Sequence, residues 1–132
     1  MEGIKNLDKL LAKMKPELVN NEYVFCTLPE DRFNRLKVSP LLVYREKEGI
    51  TLILERKIAD DHSLTYSDVW ALITLRVHSD LLAVGFLAKI TGKLGEAGIC
   101  VNVVSAYYHD HLFVPVARAG ETLELLKQLS KF

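Results

Sequence analysis

Between Trp70 and Leu129 the hydrophobic period of the chain switches in an order that few folds accommodate: strand, helix, glycine turn, strand, tight hairpin, strand, helix. Val69, Ala71, Ile73, Leu75 and Val77 recur at period two and mark one strand face. Trp70, Leu72, Thr74 and Arg76 lie on the other face, which is therefore largely covered too. Leu87, Ile90, Leu94 and Ala97 then follow helical spacing and predict a helix over 81–97, ended by Gly98. Strands are predicted over 99–107 and 112–114 around a turn at His109-Asp110. Pro115 sits at the end of the second strand because it has no N–H for a ladder. A last helix over 120–130 buries Leu123 and Leu126. One piece is missing: a complete βαββαβ unit needs a fourth strand after this helix, and none is predicted before Phe132.

The first half has the opposite deficit. Leu7, Leu10, Leu11 and Met14 predict a short amphipathic helix over 6–14, with Asn6 as its cap and Pro16 as its stop. Tyr23–Leu28 reads as a strand closed by Pro29, and 30–40 as a charged connection without a clear period. Residues 41–45 and 50–56 flank Glu46-Lys47-Glu48-Gly49, a hairpin in which Gly49 supplies a positive φ. Asp60–Asp68 is polar and turn-rich, and the boundary between units 1–65 and 66–132 is placed there. Each half is incomplete where the other can help. The element order predicts an α+β protein of two ferredoxin-like units, with antiparallel sheets and helices on one face. The two units share strands or complete one another across a dimer.

Composition excludes several classes. Lys plus Arg equals Asp plus Glu, at 17 each, and no basic stripe is present, which argues against nucleic acid and against an anionic membrane surface. No apolar run approaches about 18 residues, and MEGIKNLDKLLAKMK lacks the apolar core of a signal peptide, so a soluble cytoplasmic protein is expected. Cys26 and Cys100 lie in apolar runs without ligand spacing and are expected to be buried thiols. GKLGEAG is a helix end rather than a phosphate loop, and Ser63, Ser67 and Ser105 stand in no catalytic motif. Neither catalysis nor a cofactor is expected. His109 and His111 with Asp110 lack a further ligand nearby, so no metal site is expected.

Three features remain as candidates for function. Gly85, Gly92 and Gly95, with Ala88, form a stripe opposite the helix's core face, and interior glycine predicts close backbone approach there, to the other unit, a partner subunit or a ligand. Ser79 or Asp80 is expected to cap the helix, whose N-terminus offers N–H groups to a carboxylate while Asp80 meets an ammonium. Tyr107-Tyr108-His109-Asp110-His111 is a polar cluster in which Tyr107 and Asp110 can edge a ligand pocket.

The segments YVFCTLP, REKEGITLIL and ITLRVHSDLLAVGFLAKITGKLGEAGICVNVVSAYYHDHLFVPVARA resemble small bacterial proteins made of two ACT-like units. A more distant resemblance is to arginine-sensing proteins built from repeated ACT units. The resemblance implies a non-catalytic regulatory protein that binds an amino acid and acts through a homo-oligomer or a protein partner. By position it implicates His78, Ser79, Asp80, Val84 and Gly85 on the strand–helix loop, with Ala106, Tyr107 and Asp110 opposite, from a neighbouring unit. Leu82 stands where the family pattern carries an acid, which leaves Asp80 as the substitute carboxylate. The alternative is a ligand-free oligomerisation or protein-interaction module.

Overall fold

Asn6 Oδ1 accepts a hydrogen bond from the Lys9 N–H at 3.1 Å and starts α1 (Leu7–Lys13). A long strand, β1 (Pro16–Leu28), follows. After it come α2 (Glu30–Arg35), β2 (Leu42–Arg45), β3 (Ile50–Glu55), α3 (Arg56–Asp61), β4 (Trp70–Leu75), α4 (Phe86–Glu96), β5 (Asn102–Ser105) and β6 (Asp110–Pro115). A 3-10 turn over Val116–Arg118 leads into α5 (Ala119–Ser130). The computed structural model describes residues 3–130. They divide into a first unit, up to residue 20 and from 71 onward, and a second unit, 21–70.

In the first unit the strands run β1-β4-β6-β5. Residues 16–20 of β1 take the fourth-strand place of a βαββαβ unit, beside β4. Just beyond the two strands, the Arg76 and Val77 N–H groups donate to the Lys15 and Met14 carbonyls at 3.3 Å. The rest of β1 belongs to the second unit, where it pairs antiparallel with β3 from Tyr23↔Glu55 to Leu28↔Ile50. The predicted sharing of strands is thus seen in β1. On the helix side of the first sheet, Ile73, Leu75, Leu112 and Val114 pack with Leu10 and Met14, Phe86, Ile90 and Leu94, and Leu126. Nearly all of these are fully buried, and the helical stripe has its predicted members Ile90 and Leu94 at its centre. The second unit has a core of its own: Val24, Cys26 and Leu28 of β1 with Ile50, Leu52 and Leu54 of β3, beneath Ala59 and Leu64.

Several expectations are corrected. Six-residue helices α2 and α3 stand where a charged connection and polar turns were predicted, because so short a segment carries no readable helical period. Helix α4 begins at Phe86 rather than Leu81, and the strand predicted over 99–107 is only 102–105. Gly49 has no positive φ; a Cβ there would stand 2.9 Å from Thr27 Oγ1, so close approach is what the position needs. Cys100 is exposed, whereas Cys26 is buried.

The close approach expected at the glycine stripe is not made within the first unit. A Cβ at Gly92 or Gly95 would meet nothing within 4 Å, and both residues are exposed. Only Gly85, at the start of the stripe, has a neighbour in reach, Leu7 Cδ2 at 3.9 Å. Gly92→Ala is therefore expected to stabilise the protein by about 0.5–1 kcal/mol through helix entropy alone, read as a higher urea midpoint with an unchanged slope.

Candidate functional site

The loop from β4 to α4 is shaped by Asp80. Its Oδ1 accepts the Leu82 N–H at 2.8 Å and its carbonyl accepts the Ala83 N–H at 2.9 Å. This local turn competes with helix and delays α4 by five residues relative to its predicted start. The helix then starts from Gly85, whose φ of 87° is left-handed and favours glycine. No side chain caps α4. The expected cap at Ser79 or Asp80 is thus absent, and the first-turn N–H groups stay open to a ligand.

Those groups face a cavity of about 140 Å³. Its walls are Ser79 and Asp80 of the loop, Gly85 to Ala88 of the helix start, and Ser105 and Asp110 of the β5–β6 hairpin. The hairpin corrects the predicted turn. Ala106 N–H donates to the His109 carbonyl at 3.0 Å, so Tyr107 and Tyr108 form the tip and Asp110 is the first residue of β6, opposite Ser105. Side chains at paired positions share a sheet face, which is why Ser105 and Asp110 reach the cavity together. Asp110 is only 5% exposed, and since no fully buried side-chain oxygen lacks a partner among the described residues, its carboxylate oxygens are open to the cavity. The lining holds two carboxylates and no lysine or arginine.

The remaining candidates separate. His78 and Tyr107 line a smaller hollow with Gly3, Asp80 and Leu81. Val84 and Ala106 line neither cavity, and Val84 is 83% exposed. All eight implicated residues belong to the first unit. Ser105 was missed, and the N–H groups expected at a helix start near Asp80 lie instead at Phe86 to Ala88. Ser105 was legible only through its pairing with Asp110, which the misplaced turn concealed.

His111 points away from this cavity. Its Nδ1 lies 2.9 Å from Thr74 Oγ1, and His109 Nδ1 lies 3.2 Å from the Val77 carbonyl. Burial pushes the His111 imidazole below its ordinary pKa; His109 and Arg76 add to this, and Asp110 opposes it. No group of three or more metal-ligating side chains occurs among the described residues.

Residues 2–71 match the ACT-domain family, and residues 65–128 match a second ACT-domain family. The chain belongs to the ACT-domain proteins. ACT domains are typically regulatory, ligand-binding modules rather than catalytic ones. A Vibrio cholerae protein of unknown function, a possible transport protein, is 44% identical over 97% of this chain and 98% of its own, with a TM-score of 0.84. The ACT fold also recurs in the regulatory subunit of Thermus thermophilus aspartate kinase in its ligand-free form, at 9% identity over 89% and 98% of the two chains and a TM-score of 0.63. Escherichia coli aspartokinase III in complex with aspartate and ADP gives 14% identity, a TM-score of 0.63 and coverage of 86% of this chain and 32% of that one. No curated protein matches the sequence. No helix among the described residues is long and apolar enough to cross a membrane.

The His111 environment yields a pH dependence. A histidine whose folded pKa is depressed contributes stability that is present above its unfolded value, about 6.5, and lost as pH falls through the folded value. Urea unfolding at pH 7.5 and pH 5.5 is expected to show a larger loss for the wild type than for His111→Gln.

Proposed function

We propose that this ACT protein is a non-catalytic regulator that binds a free amino acid, with a basic side chain preferred, in the cavity between the β4–α4 loop and the β5–β6 hairpin. The observation that carries this reading is Asp110, a residue only 5% exposed whose carboxylate oxygens open into the cavity, facing an uncapped helix start. An α-carboxylate suits the N–H groups of Phe86, Leu87 and Ala88, where the helix dipole adds favourable charge. The ammonium and a cationic side chain suit Asp80 and Asp110, with Ser79 and Ser105 completing hydrogen bonds. One cation against two carboxylates would leave the cavity negative, so a second positive group on the ligand balances it. The cavity is smaller than the roughly 300–1,000 Å³ usual for drug-sized ligands, which favours a ligand of amino-acid size over a nucleotide.

Bound ligand would draw the loop and the hairpin together, and in the cytoplasm that change would pass to a protein partner or to a second copy of the chain. A second reading, a ligand-free oligomerisation module, is favoured by one observation. Leu81, Leu82, Val84, Tyr107 and Tyr108 are all more than half exposed at this end of the first unit, where apolar surface tends to mark contacts.

Calorimetry with L-arginine separates the two. Asp110→Asn is expected to weaken binding by about 1.5–3 kcal/mol, the usual value of a charged hydrogen bond. At 100 times its dissociation constant the ligand should add about 2.7 kcal/mol to wild-type stability. No heat of binding from any amino acid at millimolar concentration would reject the ligand reading and favour the oligomerisation module.

A further inference from the structure

The segment before α1 lies against the loop that carries Asp80. Ile4 N–H donates to the His78 carbonyl at 2.7 Å, and the Ile4 carbonyl accepts the Asp80 N–H at 3.0 Å. The two bonds make a parallel bridge, Ile4↔Ser79. They clamp the backbone on both sides of Ser79, so the loop is fastened from outside by Ile4 and from inside by the Asp80 turn. Gly3 makes this approach possible. A Cβ there would stand 2.6 Å from Asp80 N, and 2.8 Å from both Asp80 Cα and the Ser79 carbonyl carbon. These are backbone atoms that cannot swing aside, so any side chain at position 3 must lift the segment away. Gly3 also lines the hollow that Asp80 shares with His78 and Tyr107.

We infer that Gly3 and Ile4 are positioning residues for the ligand cavity: a strap whose backbone bonds hold Asp80 and Ser79 where they line it. The inference rests on the ligand reading above for its purpose, though not for its geometry. The strap is anchored independently of the loop. It runs directly into α1, whose Leu10 and Leu11, with Met14 beyond, are buried in the first unit's core. Lifting Gly3 should therefore free the loop without unfolding the unit.

Amide hydrogen exchange on the full chain, with and without L-arginine, tests this. In the absence of ligand, Gly3→Val is expected to raise exchange at the Asp80, Leu82 and Ala83 amides at least tenfold. The Ile90 and Leu126 amides should not change. Ile4→Val keeps both backbone bonds and should match the wild type, whereas Ile4→Pro removes the donor to His78 and should match Gly3→Val. Affinity for L-arginine, measured on the same samples, should fall at least tenfold in Gly3→Val and Ile4→Pro only. Unchanged exchange in Gly3→Val overturns the strap. Raised exchange with wild-type affinity overturns its positioning role. A wild type that binds no arginine counts against the ligand reading, and the exchange result then still decides whether the strap holds the loop.

Discussion

The first unit depends on the burial of one sheet face. Ile73 and Leu75 of β4 and Leu112 and Val114 of β6 lie beneath Leu10 of α1, Ile90 and Leu94 of α4, and Leu126 of α5, each at 2% exposure or less. Fully burying such a side chain contributes about 1.5–3 kcal/mol, and close packing leaves little freedom for any helix to slide. Since α4 is fixed by Phe86, Ile90 and Leu94, its first turn is fixed as well. The position of its open N–H groups is thus a consequence of core packing rather than of loop chemistry. Residues 16–20 of β1 extend the sheet at the β4 side.

What the core fixes, the polar residues then use. The loop after β4 and the first residue of β6 converge at the same end of the sheet, so Asp80 and Asp110 face the start of α4 across a small cavity. A positive helix end and two carboxylates suit a zwitterion that carries additional positive charge. The cavity's components all arise from one unit of an ACT protein. The second unit presents a different polar surface, in which Arg56 is paired with Glu22 at 2.9 Å and bonded to Tyr66 at 3.2 Å. The Arg56 charge is thus already met.

Much of the fold was legible because its elements are long enough to show a period. The β4 face, Ile90 and Leu94 on α4, and the α1 stripe all follow from spacing. What spacing could not reveal was backbone competition. Leu81, Leu82 and Ala83 have good helix propensity, yet the Asp80 carboxylate captures the Leu82 N–H and Gly85 turns left-handed before the helix begins. Asp110 was placed in a turn, because His109-Asp110 is turn-like in isolation; the register Ser105↔Asp110 puts it in a strand that lines the cavity. Gly3 carried no signal at all. Its requirement comes from the Asp80 backbone, 77 residues away, and non-local contact of that kind leaves no local pattern.

The central claim is that a ligand carboxylate rests on the first turn of α4. Titrating L-arginine into isotope-labelled protein and following its backbone amides by NMR tests this most directly. The Phe86, Leu87 and Ala88 amides should shift together, saturate with one affinity, and do so alongside Ser105 and Asp110. Saturable binding that moves amides elsewhere while leaving Phe86 to Ala88 unmoved would contradict the account.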